Sequence, residues 1–227
     1  MDVEIKSLVS GAEEAEGLTV IIDVFRAFTT LAYVFNNGAK EAFAVKRAEE
    51  AFGIKEQNPD FVLMGEDNGI IIDGFDYGNS PADIEGVDFS GKTVIMRTSA
   101  GTQGLLSVVK VDEIITGSFV NASAVASYIK SKNPGKVTLV AMGVDNVEQR
   151  DEDELCVQYI KGLLTRKEMD FNKILTHMRS YKSAKKFFNQ EMPEYPERDF
   201  ELCMALDRFD FVLSAKREGK HCRVVGK

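Results

Sequence analysis

Polar side chains that could take part in catalysis follow several apolar runs of this 227-residue chain. Asp23 comes directly after the apolar run 18–22, and Arg26 lies close behind it. A carboxylate can hold a metal ion or a proton, and a guanidinium can bind two oxygens of one anion. Asp is also a favoured helix N-cap, so a structural role for Asp23 is an equally good interpretation. Thr29 and Thr30 add hydroxyl groups one turn further along.

The stretch 65–81 concentrates carboxylates, Asn and Gly directly after the apolar run 61–64. Gly, Asn and Asp tolerate the backbone conformations found in turns. A polar loop that leaves a buried strand is where an α/β protein commonly places its chemistry, and Glu66 is the first acid of this loop. A hairpin with a polar tip is the alternative interpretation.

A third polar loop, 98–102, lies between the apolar run 92–97 and an apolar helical pattern. Small residues at the start of a helix allow backbone N–H groups to approach an anion. The loop has neither the Lys of a Walker motif nor a GxGxxG fingerprint. It therefore predicts anion binding without indicating a nucleotide.

The acidic run Asp151–Glu154 begins another predicted helix. Such a run is usually a solvated helix N-terminus that is stabilised by the helix dipole. The spacing of Asp151 and Glu154 places them on one face, so one or two carboxylates of the run could point inward. Arg150, directly before the run, is a candidate anion ligand. Oxygen ligands dominate these loops, which favours Mg²⁺ over Zn²⁺.

Strand and helix patterns alternate along the chain and predict an α/β fold with a mixed, largely parallel sheet flanked by helices. We expect one domain over residues 1–227. Its part 166–227 is predicted to be helical, with edge strands at 209–212 and 223–225, either within the domain or as a subdomain. Polar groups follow five predicted strands, at Asp23, Glu66, Thr98, Ser118 and 143–146. The carboxyl ends of parallel strands share one edge, so these groups are expected to line one crevice.

Composition narrows the class of protein. The formal net charge of −8 provides no basic excess for nonspecific binding of nucleic acid. No apolar run approaches the ~20 residues that span a bilayer. Three Cys without a CxxC pair fit a reducing compartment. We expect a cytoplasmic protein without nucleic-acid or membrane partners, and the residues alone predict a Mg²⁺-dependent enzyme for a small phosphorylated acid.

Four motifs, in this order, resemble the 2-phosphosulfolactate phosphatase family. They are Asp-Val-Phe-Arg-Ala at 23–27 with the two Thr that follow, Gly-Phe-Asp-Tyr-Gly-Asn-Ser-Pro at 74–81, Thr-Ser-Ala-Gly-Thr at 98–102 and Glu-Asp-Glu-Leu-Cys at 152–156. The resemblance implies a family-specific α/β fold and Mg²⁺-dependent hydrolysis of 2-phosphosulfolactate to sulfolactate and phosphate. In some methanogens this step belongs to coenzyme M synthesis.

The resemblance also implies a set of site residues. It points at Asp23, Arg26, Glu66, Asp76, Asn79, Ser80, Thr98, Gly101, Thr102, Asp153 and Glu154. We predict Asp23, Arg26 and Asp76 as catalytic residues, with Asp76 as general base or Asp23 as a covalent nucleophile. The predicted Mg²⁺ ligands are drawn from Asp23, Glu66, Asp76 and Glu154. The predicted substrate contacts are Thr29, Asn79, Ser80, Thr98, Ser99, Ala100, Gly101, Thr102 and Arg150.

Two departures from the family pattern concern the substrate. Many members have an Arg soon after the acid that matches Glu66, where this chain has Asp67 and Asn68. Many also have a Thr-Asn-Gly-Thr core where this chain has Ala100. These changes leave the second anionic group of the substrate open. The alternatives are a phosphatase of another small 2-phospho acid and a non-catalytic anion-binding module, and a homodimer is a further expectation.

Overall fold

The structure is a computed structural model that describes residues 1–143, 151–167 and 169–227. Within these residues ten strands form one sheet: β1 (Asp2–Ser7), β2 (Leu18–Ile22), β3 (Glu41–Ala44), β4 (Val62–Asp67), β5 (Ile70–Ile71), β6 (Thr93–Arg97), β7 (Glu113–Gly117), β8 (Lys136–Ala141), β9 (Leu213–Glu218) and β10 (His221–Gly226). The α-helices described are α1 (Leu8–Glu13), α2 (Ala27–Asn36), α3 (Ala48–Gln57), α4 (Gly101–Ser107), α5 (Ala122–Lys132), α6 (Asp151–Thr165), α7 (Phe171–Met178) and α8 (Glu197–Cys203). Two short 3-10 helices cover Phe119–Asn121 and Lys185–Phe188. The predicted α/β fold is confirmed.

The sheet consists of two parallel blocks joined by a hairpin, in the strand order β1-β8-β2-β7-β9-β10-β3-β6-β4-β5. Strands β1, β8, β2 and β7 pair in parallel. Strands β3, β6 and β4 form the second parallel block. Three antiparallel pairings, β7 with β9, β9 with β10 and β10 with β3, separate the blocks. An odd number of such steps reverses the direction, so the two blocks run in opposite directions.

The hairpin β9–β10 lies in the centre of the sheet, which corrects the prediction of edge strands at 209–212 and 223–225. β9 begins only at Leu213, and each of its two neighbours pairs with it. Its first half is buried, whereas its second half, from Lys216 on, is largely exposed. The exposed half of β9 carries charged residues, which are typical of an edge strand, although the strand is central. This explains why the sequence predicted an edge strand here.

One apolar core covers the inner face of both blocks. Phe28 of α2 and Leu105 of α4 belong to the same buried cluster as Ile21 of β2 and Met96 of β6. Helix α4 contacts β2, β3 and β10, so it reaches across the hairpin. Strand ends of the two opposed blocks line one cavity, although they do not share one edge as the sequence analysis expected.

The outer faces have separate cores. Helices α5 and α6 cover the first block with apolar side chains such as Val125 and Ile160. Helix α3 covers the second block around Ala51, Leu63 and Ile95. In the part of the chain that the structure describes, every helix is too short or too polar to cross a membrane.

A substitution that introduces a buried charge into β10 tests the central position of this strand. Val224 is fully buried in β10, and Lys216 is exposed on the neighbouring strand. We expect Val224→Asp to lower the free energy of unfolding by about 4 kcal/mol or more, because it buries an unpaired carboxylate. Lys216→Asp is the matched control and should change it by no more than about 0.5 kcal/mol. Urea unfolding followed by circular dichroism measures both, and equal stability of the two variants would contradict the placement.

Candidate active site

A cavity of about 300 Å³ lies between the loops that follow the strands of both blocks and a C-terminal segment. Its volume is at the lower end of the range of small-molecule sites. Six residues predicted from the sequence line it: Asp23, Arg26, Glu66, Asn79, Ser99 and Ala100. Gly143, at the exit of β8, also lines it. Ser118, another predicted strand exit, is buried outside this lining.

Asp23 binds the start of α2 and also lines the cavity. Its Oδ1 accepts a hydrogen bond from the backbone N–H of Ala27 at 3.0 Å, in the first turn of α2. The side chain is buried but lines the cavity. Burial, together with the charges of Glu66 and Glu152, raises the pKa of Asp23 to about 7, against the opposing effects of the Ala27 N–H and Lys186. The carboxylate is therefore held in place at a site where its charge is costly.

Glu66 is fixed by the loop after β6. Its Oε1 accepts the backbone N–H of Ser99 at 2.6 Å, and its Oε2 accepts the N–H of Gly69 at 2.7 Å. The hydroxyl of Ser99 also donates to Oε2, at 3.1 Å. Gly65, at φ +145°, permits this arrangement, since a Cβ there would collide with the carbonyl oxygen of Arg97. The Ser99 N–H is thus occupied by a carboxylate of the protein rather than being available to an anion.

Most of the loop 98–102 is scaffold. The backbone N–H of Thr98 donates to Oγ1 of Thr102, and the N–H of Thr102 donates to Oγ1 of Thr98. This reciprocal pair closes the first turn of α4, and neither hydroxyl lines the cavity. Gly101 allows a close approach, since a Cβ there would lie 2.8 Å from Oδ2 of Asp23 and 2.7 Å from Cβ of Ala27. Thr98, Gly101 and Thr102 therefore have structural roles in this loop and do not line the cavity, and their predicted contacts with substrate stay predictions.

Arg26 forms a buried ion pair with Asp199. Its NH1 donates to Oδ2 of Asp199 at 2.6 Å and to the carbonyl of Glu194 at 2.7 Å. Its NH2 donates to the carbonyl of Gly69 at 3.3 Å. Both side chains are almost completely buried, at 3% and 0% exposure. Arg26 therefore brings a positive charge to the cavity, while most of its guanidinium donors are bound by the protein.

Asp199 also fixes the loop that contains Ser80. Its Oδ1 accepts the hydroxyl of Ser80 at 2.7 Å and the N–H of Ala82 at 2.9 Å. The Ser80 hydroxyl is thus bound to Asp199, and Ser80 does not line the cavity, so its predicted contact with substrate stays a prediction. Asn79, one residue earlier, does line the cavity, and its buried Oδ1 has no hydrogen-bond partner among the described residues.

Other residues predicted from the sequence also lie away from the cavity. Asp76 is exposed; its Oδ2 accepts the N–H of Leu63 at 2.8 Å and lies 3.5 Å from Nζ of Lys55. This placement does not fit its prediction as general base and metal ligand. Thr29 is buried and donates to the carbonyl of Val24.

Glu154 accepts the hydroxyl of Ser7 at 2.6 Å and does not line the cavity, so it does not fit its prediction as a metal ligand. Asp153, from the same motif, accepts the N–H groups of Val24 and Gly143 and so joins the exits of β2 and β8. Burial, with the charges of Glu152 and Asp23, raises the pKa of Asp153 well above its usual value. Arg150 lies outside the described residues.

The cavity offers few oxygen ligands for a divalent cation. Among the described residues, no group of three or more His, Cys, Asp or Glu side chains has a geometry that could hold a metal ion. Two carboxylates, Asp23 and Glu66, line the cavity together with the unpartnered amide oxygen of Asn79. Mg²⁺ commonly binds through one or two carboxylates and completes its shell with water and substrate phosphate. This oxygen set fits such a site.

The C-terminal segment supplies cavity residues that the sequence analysis missed. Lys182, Ser183, Lys186 and Tyr195 line the wall opposite the strand exits. The guanidinium of Arg26 lies 4.6 Å from the ring centroid of Tyr195, which joins this segment to the strand exits. The sequence feature that could have indicated this segment is its cluster of lysines, in a chain whose net charge is −8.

Comparisons with known proteins agree with this architecture over most of the chain. The family model described as 2-phosphosulpholactate phosphatase matches residues 4–218. A Bacillus subtilis protein named "Probable 2-phosphosulfolactate phosphatase" is 32% identical over 206 residues, which cover 89% of each chain. A protein of the same name from Thermoplasma acidophilum is 30% identical over 195 residues, 86% of this chain and 84% of its own. Another, from Caldicellulosiruptor saccharolyticus, is 31% identical over 214 residues, 87% of this chain and 88% of its own.

The ion pair between Arg26 and Asp199 makes a testable contribution to stability. We expect Asp199→Ala to lower the free energy of unfolding by about 3–5 kcal/mol, because it leaves the buried Arg26 charge without its partner. Glu197→Ala is the matched control; this carboxylate of the same helix forms an exposed ion pair with Arg179 at 3.3 Å. Its loss should cost about 0–1 kcal/mol. Chemical denaturation measures both, and a small effect for Asp199→Ala would show that the pair is not a structural constraint.

Proposed function

Because the chain belongs to the 2-phosphosulpholactate phosphatase family, we propose that it hydrolyses 2-phosphosulfolactate to sulfolactate and phosphate with Mg²⁺. One observation carries the proposal: a single small cavity holds both buried carboxylates and cationic side chains. Asp23 and Glu66 lie on the side of the strand exits, and Lys182 and Lys186 lie on the side of the C-terminal segment. A metal ion with a small substrate that carries several negative charges would balance this combination.

We propose that Asp23, Glu66 and the amide oxygen of Asn79 would hold Mg²⁺. When bound, the ion neutralises charge on the phosphoryl oxygens. The protein positions these ligands through the bonds of Glu66 to Ser99 and Gly69 and through the bond of Asp23 to Ala27. Arg26, fixed by Asp199, contributes a further positive charge at the cavity wall. Phosphoryl transfer depends mainly on such positioning and charge neutralisation.

Hydrolysis breaks the bond between phosphorus and the C2 oxygen of the substrate. In the direct route a water molecule attacks phosphorus, and the C2 oxygen leaves as the hydroxyl of sulfolactate after it gains a proton. We assign to Asp23 the orientation of the attacking water, since Asp76 lies outside the cavity. In the alternative route Asp23 attacks phosphorus, and water then hydrolyses the aspartyl phosphate. Trapping of a phosphoenzyme distinguishes the two routes.

The alternatives from the sequence analysis differ in what they require of the cavity. A phosphatase of another small 2-phospho acid would use the same carboxylates with a different contact at the basic side. A non-catalytic anion-binding module gains nothing from two buried carboxylates, which repel its ligand. The presence of Asp23 and Glu66 in the cavity therefore favours an enzyme. The place in coenzyme M synthesis, the cytoplasmic location and the homodimer stay predictions.

A substrate panel tests the proposed reaction. We expect phosphate release from 2-phosphosulfolactate in the presence of Mg²⁺, slower release from phospholactate and phosphoglycolate, and loss of activity after chelation with EDTA. Restored activity on addition of Mg²⁺ is the control for reversible removal of the ion. Faster turnover of phosphoglycolate would identify another 2-phospho acid as the substrate. Absence of phosphate release from every compound would favour the binding module.

Two acidic variants test the assignment of the carboxylates. We expect Asp23→Asn to lower kcat by at least about 100-fold, because the variant removes a charge that contacts the reacting centre. Asp76→Asn should keep most of the activity, since Asp76 lies outside the cavity and an amide oxygen can still accept the N–H of Leu63. Steady-state phosphate release measures both variants. A large loss for Asp76→Asn alone would reverse the assignment.

A further inference from the structure

The C-terminal side of the cavity is a basic wall formed by Lys182, Ser183 and Lys186. It lies between α7 and α8 and belongs to none of the four sequence motifs. Lys186 is close enough to the strand exits for its charge to affect Asp23. Its Nζ also lies 4.5 Å from the ring centroid of Tyr195. The wall therefore faces the same ligand space as the carboxylates.

Ser183 shows that this wall is suited to a ligand. The residue is only 3% exposed, it lines the cavity, and its Oγ is buried without a hydrogen-bond partner among the described residues. Buried hydroxyl groups in folded proteins nearly always have a partner. A polar group of a bound ligand would supply the missing partner, and the positive charges of Lys182 and Lys186 in the same lining favour an anionic group.

We propose that the basic wall binds the sulfonate of the substrate, while the phosphoryl group lies against Asp23 and Glu66. This inference rests on the proposed function and extends it to the specificity of the same site. Two ammonium groups and one hydroxyl together provide enough donors for the three oxygens of a sulfonate. A carboxylate is better matched by the planar fork of an arginine, and NH1 of Arg26 is already bound by Asp199 and Glu194.

If the basic wall binds the sulfonate, changes in the wall should affect KM for 2-phosphosulfolactate but not KM for a substrate without a sulfonate. Phospholactate is the matched substrate, since it lacks only the sulfonate. We expect Lys186→Gln, Lys182→Gln and Ser183→Ala each to raise KM for 2-phosphosulfolactate by about tenfold, because each removes a hydrogen bond to a charged group. KM for phospholactate should change by less than about threefold. Lys185→Gln is the control, since Lys185 is exposed on the same 3-10 helix and does not line the cavity.

Direct binding separates this inference from the proposed reaction. Calorimetry with sulfolactate should show affinity that is weakened about tenfold by Lys186→Gln and Ser183→Ala but unchanged by Lys185→Gln. Lactate and inorganic phosphate serve as probes that lack the sulfonate, and their binding should not respond to these variants. Thermal unfolding of each variant verifies that it is folded.

The outcomes distinguish the two claims. If the protein releases no phosphate but shows this pattern of sulfolactate binding, the sulfonate site is supported and the proposed activity is contradicted. Equal loss for phosphosulfolactate and phospholactate would assign the wall to another group of the substrate and overturn the inference. An equal effect of Lys185→Gln, or sulfolactate binding unchanged in all three wall variants, would also overturn it.

Discussion

The buried ion pair between Arg26 and Asp199 joins the separate segments that form the cavity. Arg26 binds Asp199, the carbonyl of Glu194 and the carbonyl of Gly69. Asp199 in turn binds the hydroxyl of Ser80 and the N–H of Ala82. The loops after β2 and β4, the loop 74–81 and the C-terminal segment thus meet at one pair of charges. A buried charge without its partner is strongly destabilising, so these segments are held in one mutual arrangement.

This arrangement divides the charge of the cavity. The strand exits contribute carboxylates, Asp23 after β2 and Glu66 from β4, although these strands belong to blocks that run in opposite directions. Side chains of α2 and α4 share one buried core with strands of both blocks. The C-terminal segment contributes Lys182 and Lys186 from the other side. The cavity therefore has an acidic side and a basic side, a division of charge that suits the proposed Mg²⁺ and a multiply charged substrate.

The sequence predicts the strand exits better than it predicts their surroundings. The α/β alternation and the cavity positions of Asp23 and Glu66 follow from short apolar runs that end in polar residues, a local pattern. The central hairpin could not be predicted in this way, because strand order depends on contacts between distant parts of the chain. The basic wall was missed for a related reason: Lys182 and Lys186 lie in a segment without a strand exit, and long-range contacts such as the ion pair of Arg26 with Asp199 bring that segment to the site.

The loop 74–81 shows why a diagnostic motif need not consist of reacting groups. The backbone N–H groups of Asp76 and Tyr77 donate to the carbonyl of Leu63, and the carbonyl of Tyr77 accepts the N–H of Gly65. The Asp76 carboxylate accepts the N–H of Leu63, so the loop continues the sheet alongside β4. The hydroxyl of Ser80 and the N–H of Ala82, just after the loop, bind Asp199, whereas Asn79 lines the cavity. The motif therefore specifies a scaffold that fixes the exit of β4 and presents one amide to the cavity. Asp76 belongs to a motif that resembles that of the family, but its position in the fold decides whether it reaches the ligand.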